Sequence, residues 1–202
     1  MIDIEAMPFL ADVPRVQAGL RPDDTAFWFE GEETSFHELD VRSNQVANGL
    51  ISLGVQPQDR VGYLAKNTSQ YYEMLYGCAK ARAVMTAVNT RLAAPEVTFI
   101  LSDAGARVLF VGKDFYDMAE QIRDEPPDIV EIVAIDGGHP EWPAYDAWRD
   151  AQSATAPRRK PLPDDDVIQL YTSGTTGLPK GVQLTNQNYR ALFEQARQLE
   201  WS

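Results

Sequence analysis

The chain has 202 residues, of which 44% are hydrophobic, enough to bury a core and to fold as one large domain or two small ones. Thirty acidic against eighteen basic side chains give a formal charge of −12, which disfavours nucleic acids and anionic lipids as partners. One cysteine and two histidines exclude an internal disulfide and a Cys/His zinc set.

The N-terminal residues lack the pattern of a secretion signal. Asp3 and Glu5 stand where a signal peptide carries positive charge, and no apolar run approaches the roughly 18 residues of a membrane-spanning helix. These features predict a cytoplasmic protein without a transmembrane segment.

The first elements are predicted to be loop, hairpin and capped helix. Three prolines interrupt residues 1–24 and predict only short helical pieces. Residues 25–35 place β-forming residues beside a polar turn with one glycine, which predicts a β-hairpin. Ser35 and Glu38 have the spacing of a capping box, and apolar residues then recur at helical spacing as far as Gly54, which ends the helix.

Strands and helices alternate over residues 60–135. The predicted strands are residues 60–65, 84–88, 107–112 and 129–135. Between them apolar residues recur at helical spacing; Pro95 begins one helix, Gly105 ends it, and Asp114 is predicted to cap the next, through about residue 123. This βαβαβαβ pattern predicts an α/β fold, with a largely parallel sheet flanked by helices on both faces.

Residues 137–166 are less regular. Residues 145–151 predict a short helix, and residues 153–166 a linker that holds Pro-Arg-Arg-Lys-Pro at 157–161 beside three aspartates. Charge runs in proline-rich segments are usually solvated and mobile, and we prefer that interpretation to a functional one. The predicted division is therefore an N-terminal α/β subdomain (1–152), a linker (153–166) and the start of a second subdomain (167–202).

Residues 171–181 read Tyr-Thr-Ser-Gly-Thr-Thr-Gly-Leu-Pro-Lys-Gly. The glycines permit positive φ, the small hydroxylated residues leave backbone N–H groups open to approach, and one lysine follows. Because inward-turned N–H groups and a nearby cation suit a polyphosphate, the composition predicts a phosphate-binding loop.

The flanks of this loop separate it from two better-known phosphate motifs. Residues 167–171 and 182–184 are predicted strands, and Asn186 is predicted to cap a final helix that begins near residue 188. A Walker A loop runs from its lysine straight into a helix, whereas Lys180 is followed by glycine and a strand. The dinucleotide pattern G-x-G-x-x-G opens none of the predicted helices.

The loop resembles the signature phosphate loop of the adenylate-forming superfamily, which includes acyl-CoA synthetases, firefly luciferase and peptide-synthetase adenylation domains. Its pattern is Ser/Thr-Ser-Gly-Thr-Thr-Gly-x-Pro-Lys-Gly, and every fixed position is filled here. The resemblance to the family's N-terminal subdomain extends upstream, to residues 34–39, 44–47, 60–61 and 66–67. A further set is similar to fatty acyl-CoA ligases in particular, namely residues 88–92, 96 and 100–103. The resemblance covers nearly the whole chain.

The resemblance implies a ligase that uses ATP, a carboxylic acid, in the first instance a fatty acid, and coenzyme A. The loop would act as an electrostatic clamp on the β- and γ-phosphates, without a general base. The implied phosphate-binding residues are Thr172, Ser173, Gly174, Thr175, Thr176, Gly177 and Lys180. The hydroxyl of Thr172 or Thr175 is the candidate ligand for Mg²⁺.

The chain departs from the family at its C-terminal end. It ends at Ser202, without the family's later Tyr-Gly-x-Thr-Glu and Tyr-x-Thr-Gly-Asp segments, its hinge, or its C-terminal domain with the catalytic lysine. We therefore expect an N-terminal fragment of an acyl-CoA synthetase that holds no catalytic residue and is inactive alone. Its expected partner is the missing C-terminal portion of the same chain, and a homodimer stays open.

Two alternatives also stay open. One is the same superfamily with another substrate or acceptor, as an aromatic-acid ligase or an adenylation domain that loads a carrier protein. The other is a non-catalytic interaction module. The resemblance implies that the acyl pocket lies mostly beyond residue 202, so the acid cannot be predicted.

Other candidate residues are predicted to be structural. Cys78 falls on the apolar stripe of its helix, which predicts a buried thiol rather than a nucleophile. His37 is predicted to lie at the surface, and His139 in a loop without a visible partner. Aromatic side chains at helical spacing are more often packing than pocket, which applies to Tyr71, Tyr72 and Tyr76.

Overall fold

The structure, a computed structural model, describes residues 5–126, 128–172 and 178–198. Its helices are α1 Asp12–Leu20, α2 Phe36–Ser52, α3 Ser69–Ala81, α4 Ala94–Ala104, α5 Tyr116–Ile122, α6 Tyr145–Asp150 and α7 Asn186–Gln198. Its strands are β1 Thr25–Phe29, β2 Glu32–Ser35, β3 Arg60–Leu64, β4 Val84–Ala87, β5 Ala106–Val111, β6 Glu131–Ala134, β7 Asp166–Thr172 and β8 Lys180–Thr185.

The main sheet has six strands in the order β6-β5-β3-β4-β7-β8. Every pair is parallel except β7 with β8, which is antiparallel. The strands β1 and β2 form a separate antiparallel hairpin, as predicted. The predicted α/β class is confirmed, and β7 and β8 extend the same sheet; the division of the chain at residues 153–166 stays a prediction.

The core lies on both faces of the sheet. Along β5, Val108 and Phe110 face one hydrophobic cluster, while Leu109 and Val111 face the other, because successive side chains of a strand point to opposite sides. The first cluster is covered by α2, α3 and α6, the second by α4 and α5. Within the described residues, no helix is long and apolar enough to cross a lipid bilayer.

Several local predictions are confirmed at α2. The Ser35 hydroxyl accepts a hydrogen bond from the Glu38 backbone N–H at 3.2 Å, and the Glu38 carboxylate accepts one from the Ser35 N–H at 2.8 Å, which completes the capping box. Past the end of the helix, Gly54 has φ +82°, a left-handed conformation that suits glycine. The sequence therefore determines both ends of this helix locally.

Asp114 does not cap a helix, and that prediction is wrong. It lies in a short 3₁₀ turn, Lys113–Phe115, without a side-chain capping bond, and the α-helix itself begins at Tyr116. The Asp114 carboxylate instead pairs with the Lys66 ammonium, which lowers the pKa of Asp114. An ion pair from a distant loop has replaced the local cap.

Asn186 is also not the cap of the final helix. Its buried side chain accepts a hydrogen bond from the Leu10 N–H at 3.2 Å and donates one to the Leu162 carbonyl at 3.0 Å. The cap is formed by the preceding residue: the Thr185 hydroxyl accepts from the Asn188 N–H, and the Asn188 side chain accepts from the Thr185 N–H.

The segment 153–166 is anchored at two points, and one residue of its basic run, Arg159, departs from the interpretation of that run as solvated, whereas Arg158 and Lys160 are exposed as expected. The Arg159 guanidinium donates to the carbonyls of Ala81 and Val55, both at 2.8 Å. Further along, the buried Asp165 carboxylate accepts two hydrogen bonds from Arg82, also at 2.8 Å. These partners lie far away in sequence, so the charge run gave no sign of them.

Candidate functional site

The candidate phosphate loop connects two antiparallel strands, as the sequence predicted. In the register of β7 and β8, Thr172 lies opposite Lys180, so these two residues form the base of the loop. Both are exposed. The other predicted phosphate-binding residues, Ser173, Gly174, Thr175, Thr176 and Gly177, lie outside the described residues.

The loop leaves the sheet at its carboxyl edge. Because β7 is parallel to β4, which is parallel to β3, the C-terminal end of β7 lies at the same edge as the ends of the other parallel strands. Ligands of open α/β sheets bind at this edge. The position of the loop is therefore consistent with a binding function.

Lys180 and Thr172 have the chemistry that a phosphate group requires. Within the described part of the chain, the Lys180 ammonium makes no hydrogen bond or ion pair, so its charge is not neutralised by a neighbouring carboxylate. An ammonium contributes three donors, and the Thr172 hydroxyl offers one more. The two residues thus fit an anionic ligand held above the base of the hairpin.

A chain of hydrogen bonds fixes the strand that leads into the loop. Arg60 donates to the side-chain amide oxygen of Gln169 at 2.9 Å, the side-chain amide nitrogen of Gln169 donates to the Tyr171 hydroxyl at 3.0 Å, and Tyr171 donates to the Asp103 carboxylate at 2.6 Å. Burial, and then the Asp103 carboxylate, raise the pKa of Tyr171, so its phenol stays protonated and remains a donor. This chain ties β7 to β3 and to the end of α4.

Gly181, the last residue of the signature, is closely approached by two side chains of β7. It lies directly opposite Tyr171, and a Cβ there would stand 2.6 Å from the Gln169 amide nitrogen and 3.2 Å from the Tyr171 ring. Both neighbours are held by the hydrogen bonds just described, so neither moves freely. The sequence identified this glycine as part of the loop but gave no sign of its close contact with Gln169 and Tyr171.

A recess opens at the same edge of the sheet, beside the ends of β3 and β5. The strand that follows β3 in sequence, β4, pairs on one side of β3, and β5 pairs on the other. It measures about 540 Å³ and is lined by the β1–β2 hairpin and by the segments after β3 and β5. Lys66 and Asn67, which match the family pattern, lie in it. Its lining mixes cations with several carboxylates, so the recess does not indicate one ligand charge.

The remaining candidate residues are structural. Cys78 is fully buried, and burial raises the pKa of its thiol, which confirms the prediction of an unreactive core cysteine. His37 is exposed, as predicted. His139 lies in a loop, as predicted, but it has partners that the sequence did not show: its ring stacks on Trp142 at 3.8 Å between centroids and hydrogen-bonds Glu120 at 2.8 Å.

The described residues offer little for a metal ion beyond Thr172. Within the described ranges, no group of three His, Cys, Asp or Glu side chains is placed to hold one. The hydroxyl of Thr172 is available as one ligand for Mg²⁺, and the phosphate oxygens of a bound nucleotide are the usual further ligands.

Comparison with known proteins links this hairpin to one family. Residues 15–201 match the model of the AMP-binding enzyme family. The chain is 41% identical, over 172 residues, to the fatty acid–[acyl-carrier-protein] ligase ScoC of Streptomyces coeruleorubidus, covering 85% of this chain and 32% of that protein. It is 34% identical, over 178 residues, to the long-chain-fatty-acid–CoA ligase FadD13 of Mycobacterium tuberculosis, covering 87% of this chain and 33% of that protein.

The fold is shared with solved structures of similar enzymes. The crystal structure of the anthranilate CoA ligase AuaEII in complex with anthranoyl-AMP superposes with a TM-score of 0.85 at 31% identity, over 90% of this chain and 35% of that one. The chain therefore spans about a third of the length of the relatives it matches. With the family model matching from residue 15 to 201, the chain belongs to the AMP-binding enzymes.

Proposed function

We propose that this chain is the N-terminal part of an ATP-dependent acid–thiol ligase of the cytoplasm, and that the β7–β8 hairpin holds the triphosphate of ATP. The observation that carries the proposal is the strand–loop–strand geometry around the complete signature, with the Lys180 ammonium opposite Thr172 and without an ion pair to any residue that the structure describes. The proposed site residues are those at 172–177 and Lys180.

The reaction has two steps. In the first, a carboxylate oxygen of the acid bonds to the α-phosphorus of ATP and the bond to the β-phosphate breaks, giving an acyl-adenylate and pyrophosphate. In the second, the sulfur of coenzyme A bonds to the acyl carbon, the thiol proton is lost and AMP leaves.

The task of this chain lies in the first step. Negative charge moves onto the departing pyrophosphate, and donors preorganised around it lower the barrier. Lys180 contributes a charge-assisted hydrogen bond, and the hydrogen bonds of Tyr171 and Gln169 fix the strand from which the loop starts. Mg²⁺, with Thr172 or Thr175 as a ligand, would neutralise part of the phosphate charge.

The substrate in this proposal is a fatty acid and the acceptor coenzyme A. The names of two relatives support the acid: one is a fatty acid–[acyl-carrier-protein] ligase and the other a long-chain-fatty-acid–CoA ligase. The first of these names also keeps a carrier protein open as the acceptor, and the anthranilate CoA ligase keeps an aromatic acid open.

Pyrophosphate exchange tests the proposal. In a protein that carries this chain within the full length of its relatives, we expect ATP–pyrophosphate exchange to depend on added acid, with fatty acids of graded length compared with aromatic acids. Lys180→Ala should lower the exchange rate by about 10² to 10³, the usual effect of removing one transition-state donor. The charge-matched control is Arg158→Ala, at an exposed arginine outside β7 and β8, which should leave the rate unchanged.

Two results would contradict the proposal. An unchanged exchange rate in Lys180→Ala would mean that this hairpin does not bind the triphosphate of ATP. The 202-residue chain alone is expected to form no acyl-CoA from ATP, coenzyme A and a fatty acid. Formation of acyl-CoA by that chain would contradict the expectation that it is inactive alone.

A further inference from the structure

A small recess separates α1 from the segment 156–161, and we call it the α1 recess. It measures about 200 Å³. Its lining includes four cationic side chains, those of Arg15, Lys80, Arg159 and Lys160, and one carboxylate, that of Asp12. This is a local excess of positive charge in a chain whose formal charge is −12.

Two of these cations are fixed in place by the fold. The Arg159 guanidinium is held by two backbone carbonyls at 2.8 Å, which do not neutralise its charge and which use two of its five N–H groups. The buried Lys80 ammonium bonds the Asp40 carboxylate at 2.7 Å and the side chains of Ser43 and Asn44 at 2.8 Å. Lys80 is therefore paired with a carboxylate, whereas Arg159 forms no ion pair within the described residues and feels the charge of Asp59 only from a greater distance.

The other two cations are more exposed and differ in their pairing. Arg15 forms an ion pair with Asp12 at 2.8 Å. The exposed Lys160 ammonium has no hydrogen bond or ion pair with any residue in the described part of the chain. The unmatched charges at the recess are thus Arg159, which is rigid, and Lys160, which can swing over the opening.

We propose that the α1 recess binds a small phosphate-bearing anion, with Arg159 as the fixed donor and Lys160 as the mobile one. Three N–H groups of Arg159 are left for a ligand, and charge-assisted hydrogen bonds from guanidinium and ammonium groups are those that phosphate oxygens favour. The volume suits inorganic phosphate or pyrophosphate, and it is smaller than the usual site for a drug-sized ligand. No residue of the β7–β8 hairpin lines this recess, so the site is separate from the proposed triphosphate loop.

Calorimetric titration with inorganic phosphate and with pyrophosphate tests this site. The titrations use the chain carrying Lys180→Ala, in which the charged donor of the β7–β8 loop is absent. We expect binding to persist there, and Lys160→Met to weaken it about tenfold, the effect of losing one charge-assisted hydrogen bond. Methionine keeps an aliphatic stem, and because Lys160 is exposed the fold should be retained, which circular dichroism would verify.

Arg158→Met is the matched control. Arg158 lies in the same basic run and is exposed, but it does not line the recess. It should leave the affinity within about twofold of the parent, since an exposed side chain outside the lining offers the ligand no hydrogen bond and its charge is partly screened by salt.

Three outcomes would overturn the proposal. One is equal weakening by Lys160→Met and Arg158→Met, which would indicate a general charge effect. Another is loss of all phosphate binding with Lys180→Ala, which would leave the triphosphate loop as the only phosphate site and would support the proposed function. The third is binding to phosphatidylglycerol vesicles without binding to inorganic phosphate, which would indicate a lipid surface instead.

Discussion

The two halves of the sheet differ in how they are covered. The strands β3, β4, β5 and β6 are buried along most of their length and packed by helices on both faces. In the other half, β8 is almost wholly exposed, and large apolar side chains reach solvent, among them Leu170 at 37%, Val182 at 44% and Leu192 at 54% exposure. The half that carries the candidate loop is thus the half with less packing to hold it.

This contrast indicates which part of the chain contributes most to stability. Apolar burial supplies most of the free energy of folding, so the first half should dominate stability. The β7–β8 half depends instead on particular contacts, such as the Tyr171 hydrogen bonds and the close approach at Gly181.

The largest expected effect is a loss of stability caused by a substitution in the buried half of the sheet. Phe110→Ala removes a fully buried ring that packs against Tyr145 and Trp148, and we expect the free energy of unfolding to fall by about 3 to 5 kcal/mol. Leu192→Ala, in the exposed half, should change it by no more than about 0.5 kcal/mol. Urea denaturation measures both, and similar losses in the two variants would refute the proposed division.

A smaller effect tests the contacts at the base of the loop. Gly181→Ala forces the Gln169 amide out of its hydrogen bonds, so we expect a loss of about 1 to 3 kcal/mol. Gly19→Ala is the control, because no atom lies within 4 Å of the added methyl in α1, and it should be neutral or stabilising by up to about 1 kcal/mol.

A double variant sharpens this test. Gln169→Ala removes the side chain that a Cβ at position 181 would meet, so the combination with Gly181→Ala should cost less than the sum of the two single changes. Additive costs would mean that the contact at 2.6 Å is not what constrains the glycine.

The smallest effect compares the caps of α2 and α7. The hydrogen bond from the Ser35 N–H lowers the pKa of Glu38, so this carboxylate contributes stability above the unfolded pKa, near 4.5, and loses it as the pH falls through the lower folded value. The cost of Glu38→Gln, at most about 1 kcal/mol at pH 7, should therefore shrink as the pH falls below about 4.

The cap of α7 provides the control for this comparison. Its capping side chain is the Asn188 amide, which does not titrate, so Asn188→Ala should cost a similar amount at pH 7 and at pH 3.5. Urea denaturation at both pH values measures both variants. A cost of Glu38→Gln that stays constant with pH would mean that the charge of Glu38 does not strengthen its cap.

Local patterns predicted the elements well and their partners poorly. The helices and strands from residue 25 to 135 were readable because each depends on periodicity and on nearby caps. The strand order could not be predicted in this way. It places β3 between β4 and β5, and local patterns do not indicate which strands pair. The predictions for Asp114 and Asn186 were wrong for the same reason. Each side chain bonds a residue far away in sequence, Asp114 the Lys66 ammonium and Asn186 the Leu10 N–H.

The candidate site shows the same limit. The composition of the loop predicted phosphate binding, and the flanking patterns predicted a hairpin. The contacts that support it were out of reach, because Tyr171 bonds a residue 68 positions away and Gln169 one that is 109 positions away. Pairings over such distances depend on the whole fold.

The close packing at Gly181 separates two kinds of residue within one signature. Its glycine lies close to the Gln169 and Tyr171 side chains, so replacing it should reduce stability even in a descendant that lost the reaction but kept the fold. Lys180 makes no contact of this kind in the described part of the chain, so selection for folding alone would let it change. Among related sequences, the lysine should therefore be the better marker of activity, and the glycine a marker of ancestry.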